Sequence, residues 1–395
     1  VLGIIPSRIA FADRYTYLPQ IGLLVALVWG GAELAAAWRV RPGILATVSA
    51  GVVLALGALA FRQTRYWRDS ETLWRHTLAC STNDTVAYYN LADAIGESGR
   101  NAEAIGYLLK TLEIDPTYET ADVNLGNLLL EEGHVNQAMA CFAHALQLDP
   151  GDQKAHNDRG QALLQIGRPT EAAAELRWAL EINPNYAKAR YNLGIALGDL
   201  GQYESAVEQY KLALGIQPAF AEADYNLGNV LMALGRTNEA VPYFRQALKL
   251  KPNDGDIHNN LGSALMNLGQ FEAAAMEFKR AVELQPANAS ATTNLAWLLA
   301  TLPDASMRNG GEALRLAQRA SQLTGNDNPL VLRTLAAAYA ETGQFDLAVQ
   351  NARLAIPLAE AEGVPGLSDE LERELADYQQ GLPFRMDADA KQRAQ

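Results

Sequence analysis

The chain has 395 residues, of which 49% are hydrophobic and 19% are charged, and its formal net charge is −13. This length is too great for one ordinary domain, and the composition fits neither a disordered chain nor a coiled coil. The charge is uneven, because residues 1–82 carry +4 and residues 83–395 carry −17. An acidic body of this size argues against a nucleic-acid partner, which requires clustered Lys and Arg.

Two apolar segments predict a membrane segment over residues 1–66. Residues 18–38 contain one acid, Glu33, and residues 42–61 contain no charged residue. Because 20 helical residues reach about 30 Å, the thickness of the hydrocarbon core of a bilayer, we expect two transmembrane helices in contact with lipids. The chain starts with Val in the middle of an apolar stretch, and so we also expect further transmembrane helices upstream.

Asp13 and Arg14 precede the first apolar segment, beside two tyrosines. An arginine at a membrane interface can contact a lipid phosphate, or it can anchor the start of a helix. The residues themselves favour the anchor, and contact with a lipid phosphate stays open.

A 34-residue repeat organises the chain after the apolar segments. Three series of residues recur in register. Prolines stand at residues 116, 150, 184, 218, 252 and 286, and glycines at residues 126, 160, 194, 228 and 262 and at residues 99, 133, 167, 201, 235 and 269. A glycine in the left-handed conformation ends a helix, and a proline prevents a helix from continuing. The repeat therefore predicts a pair of helices, A and B, in every unit.

The unit "YNLGIALGDLGQYESAVEQYKLALGIQP", residues 191–218, resembles the tetratricopeptide repeat in period and in pattern. The resemblance implies an all-α fold, a right-handed α-solenoid in which antiparallel helix pairs form a superhelix. We expect a junction half-repeat over residues 67–82 and about eight repeats over residues 83–361. A polar capping helix over residues 367–380 and a disordered tail over residues 381–395 complete the predicted organisation.

The chain contains no phosphate-binding loop, dinucleotide-binding motif, zinc-protease motif or nucleophile elbow. Its two cysteines are too few for a disulfide framework or a cysteine metal site. We therefore expect no catalytic residue, no cofactor and no metal site in this stretch of chain.

One column of the repeat suggests a binding surface. The position two residues before the first glycine or its small substitute holds the asparagine column: Asn90, Asn124, Asn192, Asn226, Asn260 and Asn294. In the tetratricopeptide arrangement this side of helix A lines the concave surface, and the column resembles the asparagine ladder with which O-GlcNAc transferase holds extended substrates. A carboxamide can donate and accept hydrogen bonds, which suits a peptide backbone of any sequence.

Tyrosines stand one position before three column residues and could add contact area: Tyr89, Tyr191 and Tyr225. Repeat 3 departs from the pattern, with Asp158 in the column and Arg159 in the place of a leucine. The pair is either a specificity point or a weak repeat. The alternative for the whole column is that asparagine here is only the consensus residue of the repeat.

The N-terminal part carries a second resemblance. The stretch "ADRYTYLPQIGL", the two apolar segments, "RYWRDSETLWRHTL" and the following repeats resemble the junction in the transmembrane-and-tetratricopeptide O-mannosyltransferases and their bacterial relatives. These are membrane glycosyltransferases of the GT-C class. The resemblance implies a parent enzyme that moves a sugar from a polyprenyl-phosphate donor to Ser or Thr of proteins, while the repeats present the acceptor. The catalytic acids of that family belong to an upstream loop, and so no catalytic residue is carried over.

Two alternatives remain open: a non-enzymatic membrane-tethered scaffold that assembles partner proteins, and a pseudo-enzyme that lost its acids. The membrane orientation is also in conflict. The arginines after residue 61 outnumber those at residues 39 and 41, which favours a cytoplasmic array. The family resemblance implies a multi-pass membrane protein with its array on the non-cytoplasmic side, and this is the orientation that we expect.

Overall fold

The computed structural model describes residues 29–31, 33–34, 36–38, 41–81, 83–325, 327–363 and 366–386. It divides into two compact units, one ending at Ala162 and the other beginning at Leu163. Every regular element of the described residues is helical. The predicted all-α fold is confirmed.

The first unit contains an N-terminal helix, a junction helix and the first repeats. Its helices are α1 (Pro42–Thr64), α2 (Ser70–Cys80), α3 (Thr85–Gly96), α4 (Asn101–Ile114), α5 (Glu119–Glu131), α6 (Val135–Leu148) and most of α7 (Gln153–Gln165). A 3-10 turn, Arg65–Trp67, joins α1 to α2. Helices α3 and α4 are helices A and B of repeat 1, and each following pair forms the next repeat.

The second unit contains the remaining repeats, up to repeat 8, and a final helix. Its helices are α8 (Pro169–Ile182), α9 (Ala187–Asp199), α10 (Tyr203–Ile216), α11 (Ala221–Ala233), α12 (Thr237–Leu250), α13 (Gly255–Asn267), α14 (Phe271–Leu284), α15 (Ala289–Thr301), α16 (Gly310–Thr324), α17 (Pro329–Glu341), α18 (Phe345–Glu362) and α19 (Leu367–Gln379). Within each unit, helix B packs against its own helix A and against helix A of the next repeat.

The turns between helices A and B have the conformation that the second glycine series predicts. All six of these glycines have a φ between 66° and 80°, a region that only glycine adopts without strain. Several helices A begin with a side-chain cap: Asp84 accepts a hydrogen bond from the backbone N–H of Ala87, and Asn288 accepts one from that of Ala291. Local sequence therefore fixes both ends of these helices.

The first glycine series lets an aromatic ring lie directly on helix A. A Cβ added to Gly126 would lie 2.5 Å from the Phe142 ring, and one added to Gly228 would lie 2.6 Å from the Phe244 ring. Both phenylalanines are fully buried. Repeat 1 has Ala92 in this place, and there the helix B residue is Leu108. The distance between helices A and B of a repeat thus depends on the pairing of a small residue in helix A with a larger residue in helix B.

Helix α2 joins the array as the predicted half-repeat would. Trp74 is 5% exposed and belongs to the core of the first unit. Arg75 forms ion pairs with Glu71, at 2.8 Å, and with Glu103 of repeat 1, at 2.5 Å. Glu71 also pairs with Arg100. These contacts attach the junction helix to repeat 1 without a linker.

The prediction of two transmembrane helices is not confirmed. Most of residues 18–38 lies outside the described residues, as do Asp13 and Arg14. Residues 42–61 fall within α1, where Val53, Leu54 and Phe61 are 67%, 75% and 70% exposed. In the part of the chain that the structure describes, no helix is long and apolar enough to cross a membrane.

Helix α19 packs on repeat 8, and the chain after it differs from the predicted disorder. Tyr378 of α19 is 1% exposed and lies among alanines of α17 and α18. Residues 382–386 then return to repeat 7, where the backbone N–H of Met386 donates to the carbonyl of Thr301 over 2.8 Å. Aromatic and ionic partners explain this order, because Phe384 packs beside Trp297 and Arg385 pairs with Glu341. Residues 387–395 lie outside the described residues.

Candidate functional site

The asparagine column lies on one side of the helices A, which we call the column face. Asn90 and Asn124 are in the first unit, and the other four are in the second. Asn192 is 4% exposed, whereas the remaining five are half-buried. Polar groups at this depth need hydrogen-bond partners, and the structure provides them within the array.

A column residue donates to the tyrosine of the preceding repeat. Nδ2 of Asn124 lies 3.0 Å from Oη of Tyr89 in the first unit. In the second unit, Nδ2 of Asn226 lies 3.2 Å from Oη of Tyr191. Nδ2 of Asn260 likewise lies 3.0 Å from Oη of the Tyr225 side chain. Each bond, which we call a rung, joins two residues that are 35 positions apart, one repeat plus one residue. The three predicted tyrosines are therefore the partners of the column.

The rung position accepts other polar pairs. Nδ2 of Asn294 donates to Oδ1 of Asn259 over 3.0 Å, again 35 positions earlier. At the end of the array, Nε of Arg333 in α17 lies 2.9 Å from Oε1 of Glu374 in α19. Asn90, in the first repeat, donates instead to the carbonyl of Val86 in its own helix. The consensus alternative thus has a physical basis, because a rung holds neighbouring repeats together.

The column residues differ in how many hydrogen-bonding groups remain available once the rungs have formed. Asn260 uses its N–H groups for Tyr225 and Asn229, and its Oδ1 accepts from Asn259. The Asn226 side chain donates to Tyr191 and also interacts with the Tyr210 hydroxyl, whereas Asn294 uses one N–H. A carboxamide has two N–H donors and one acceptor oxygen. Among the described residues, Asn226 therefore retains its oxygen for a ligand, and Asn294 retains its oxygen and one N–H.

Asp158 does not present a free charge on the column face. It is 3% exposed, and its two oxygens accept hydrogen bonds from Nδ2 of Asn127 and Nδ2 of Asn157, both over 2.8 Å. The Asp158 carboxylate of repeat 3 is therefore held by the array itself. Two amides bond it where an ordinary rung has a tyrosine.

The rung tyrosines are neutral near pH 7, as an ordinary phenol is. Burial is the main cause that raises the pKa of Tyr89, Tyr191 and Tyr225 further. A neutral hydroxyl accepts the carboxamide N–H and still has a proton to donate. The rungs consequently stay intact across the physiological pH range.

A cavity of about 440 Å³ opens beside Asn294, and the sequence analysis missed it. Its wall includes Trp297, one turn after Asn294, and Arg333 of the next repeat. The Arg333 guanidinium lies 4.4 Å from the centre of the Trp297 ring, a cation–π contact that fixes both side chains. A tryptophan three residues after a column asparagine was the available indication, since residues three apart share a helix face.

Among the described residues, no group of three or more His, Cys, Asp or Glu side chains could hold a metal ion. The chemistry that the column face supports is hydrogen bonding together with apolar and aromatic contact.

Comparisons with known proteins agree with this architecture. Models of the tetratricopeptide repeat match residues 86–118, 123–187, 158–221, 191–255 and 231–298, which together make up more than half of the chain. The chain is 28% identical over 118 residues to "Protein O-mannosyl-transferase TMTC1" of Homo sapiens, a match that covers 29% of this chain and 13% of that protein. The protein of the same name from Mus musculus matches equally, over 12% of its length. The chain thus spans a small part of these relatives.

Solved structures of other proteins share the fold. The type IV pilus biogenesis factor PilW is 24% identical, with a TM-score of 0.50 over 53% of this chain and 98% of that one. The APC/C hetero-tetramer Cut9–Hcn1 is 18% identical, with a TM-score of 0.52 over 75% of this chain and 56% of that one. At these identities the likeness shows the fold alone.

Proposed function

Because the chain belongs to the tetratricopeptide repeat family and carries a protein-interaction module built from that repeat, we propose that its column face binds extended peptide segments of partner proteins. The rungs hold the carboxamides in fixed orientations, so that little side-chain freedom is lost when a ligand binds. Hydrogen bonds to the backbone of the ligand then give affinity, and neighbouring pockets give selectivity.

The observation that carries this proposal is the unused hydrogen-bonding capacity of Asn294 and of the Asn226 oxygen. Both side chains are half-buried and oriented by a rung; Asn226 retains its oxygen, and Asn294 retains its oxygen and one N–H. The cavity beside Asn294 adds apolar and aromatic wall to these polar groups. Few convergent polar groups beside a largely apolar cavity are typical of a binding site.

A panel of unrelated 15-residue peptides tests the proposal. We expect the N226A/N294A variant to bind the panel at least tenfold more weakly than the wild type, across many sequences, because the lost contacts are to the peptide backbone. The matched control is N136A/N238A, which removes two exposed asparagines from helices B. Equal binding by both variants, with circular dichroism unchanged, would refute the proposal.

Asn260 offers an internal comparison. The Asn260 side chain makes its hydrogen bonds within the array. N260A should therefore lower the stability of the array and change its affinity for peptides little. N294A should do the opposite, because Asn294 uses only one N–H within the array. If the two variants lost stability and peptide affinity to the same extent, the asparagine column would act only by stabilising the array.

We further propose that the array presents acceptor proteins to a GT-C-like O-glycosyltransferase, of which this chain would be the C-terminal part. The similarity to the two O-mannosyl-transferases supports this proposal, as does the junction sequence before the repeats. A non-enzymatic scaffold that assembles partners is the alternative. Sequencing the coding DNA upstream of Val1 separates them: further apolar segments and paired acids in an early loop support the enzyme, and a nearby start codon supports the scaffold.

The exposed apolar surface of α1 supports a further proposal, attachment of the chain to a membrane. Burying Val53 and Leu54 in lipid would remove a large apolar area from water. We expect V53Q/L54Q to shift the full chain from the membrane fraction to the supernatant. Leu109, which is 54% exposed on repeat 1, provides the control L109Q. An unchanged membrane fraction in V53Q/L54Q would contradict attachment through α1.

For the side of the membrane, we propose that the array is non-cytoplasmic. Cys80 is exposed at the end of α2, whereas burial raises the pKa of the half-buried Cys141 to about 11, which makes its thiol a poor nucleophile. A membrane-impermeant maleimide should therefore label Cys80 of intact cells, and C80S should abolish the labelling. Labelling of Cys80 only after lysis would place the array in the cytoplasm.

A further inference from the structure

The C-terminal segment 382–386 contacts the far end of the column face in the way that a bound peptide would. The ring of Phe384 lies 5.6 Å from that of Trp297, centre to centre. Trp297 is on the same helix face as Asn294, and both side chains line the 440 Å³ cavity. The segment therefore borders the surface that a partner peptide would follow.

Ionic and backbone contacts complete this attachment. The Arg385 side chain pairs with Glu341 at the end of α17 and donates to the carbonyl of Ala300 over 3.3 Å. The backbone N–H of Met386 donates to the carbonyl of Thr301 over 2.8 Å. An aromatic ring, a guanidinium and a backbone N–H thus bind in succession, and none of these contacts depends on a covalent link to α19.

The surroundings favour a cationic ligand. A second cavity, of about 620 Å³, has Phe384 and Met386 in its wall, and its charged lining is three acids of α19, Glu370, Glu374 and Asp377, against Arg333 and Arg373. Arg333 pairs with Glu370 and Glu374, so that the acidic excess at this end rests on Asp377 and on Glu341, the partner of Arg385. Residues 83–395 carry a net charge of −17, so that a basic peptide is attracted over a distance as well.

We propose that this end of the column face recognises an aromatic residue followed by arginine in a partner peptide, and that segment 382–386 occupies the place in its absence. This inference rests on the proposed peptide binding and adds the chemistry of the ligand. A tethered segment competes at an effective concentration on the order of 1 mM. A free peptide consequently binds the intact chain more weakly than a chain whose own segment has been released.

Variants of the full chain test the inference. F384A/R385A removes the two side chains that hold the segment, and R385E alone places a carboxylate beside Glu341 as an independent way to release it. The probe is a fluorescein-labelled peptide with the sequence Gly-Leu-Pro-Phe-Arg-Met, followed by anisotropy. We expect both variants to bind the probe at least tenfold more tightly than the wild type. A probe with Ala-Ala in place of Phe-Arg should not bind.

A third substitution identifies the surface. W297A added to F384A/R385A should abolish binding of the probe, because its aromatic partner is lost. The control is L330A added to the same F384A/R385A background, which removes an exposed leucine of α17 that lines the same cavity; this variant should retain tight binding of the probe. Equal affinity of wild type and released variants, or binding that persists without Trp297, would overturn the inference. Its failure differs from failure of the proposed function, which N226A/N294A reports on the peptide panel.

Discussion

The contact between Gly126 and Phe142 yields a quantitative prediction. An alanine Cβ at residue 126 would lie 2.5, 2.8 and 2.9 Å from three atoms of the Phe142 ring, whereas ordinary contacts are 3.4–4 Å. The ring is fully buried and cannot retreat into solvent. Overpacking of this kind costs about 1–3 kcal/mol, and the better helix propensity of alanine returns up to about 1 kcal/mol. We expect G126A to lower the free energy of unfolding by about 1–2 kcal/mol.

A second substitution should rescue the first. Repeat 1 combines Ala92 with Leu108 in the same two positions, and G126A/F142L reproduces that combination in repeat 2. F142L alone leaves a cavity and costs about 1 kcal/mol. The loss of stability in the double variant should therefore be smaller than the sum of the losses in the two single variants, by about 1 kcal/mol or more.

Urea unfolding followed by far-UV circular dichroism measures these differences. The control is G106A, since Gly106 lies inside α4 and nothing lies within 4 Å of an added Cβ. It should stabilise the chain by up to about 1 kcal/mol. If G126A proved as stable as G106A, or if F142L gave no rescue, the ring would not set the helix spacing.

Three further substitutions probe the array. Burial raises the pKa of Asp224 to about 6, above the value of about 4 for an unfolded chain, and its Oδ2 has no partner. Stability should therefore fall as pH rises from 4 to 7, and D224N should reduce this fall in urea titrations. Y225F removes the rung to Asn260 and should cost about 0.5–1.5 kcal/mol in urea unfolding, while Y203F, at an exposed tyrosine, should cost nothing. G235A must adopt a φ near 72° and should cost about 1 kcal/mol, measured as a fall in melting temperature. A stable G235A would show that the turn relaxes.

Periodicity predicted the array well because its determinants are local. The glycine that ends each helix A and the proline after each helix B act within their own turn, as the positive φ of Gly99 and its equivalents confirms. The tetratricopeptide repeat follows from these positions alone. The turns that end each helix A therefore needed no knowledge of distant contacts.

The site depended on contacts between repeats, and there the sequence was less informative. Asn124 was predicted to face a ligand, but its partner Tyr89 stands 35 positions earlier, and only the offset between stacked helices brings them together. Asp158 was interpreted as part of either a specificity point or a weak repeat; it is 3% exposed, and its carboxylate accepts hydrogen bonds from two amides. Phe384 lies in a segment whose composition suggests disorder, and its order comes from Trp297, far away in sequence. Such pairings follow from tertiary structure.

The affinities of one peptide and of its two N-methylated twins test peptide binding by the column face most directly. The peptide is the strongest binder of the panel, and the two twins carry N-methyl groups on its odd-numbered and on its even-numbered backbone nitrogens. If the carboxamide oxygens of Asn226 and Asn294 accept backbone N–H groups, isothermal titration with the wild type should show a loss of at least tenfold for one of the two alternating patterns. N226A/N294A should bind all three peptides equally weakly. Equal, tight binding of the peptide and both twins by the wild type would contradict backbone recognition by the asparagine column.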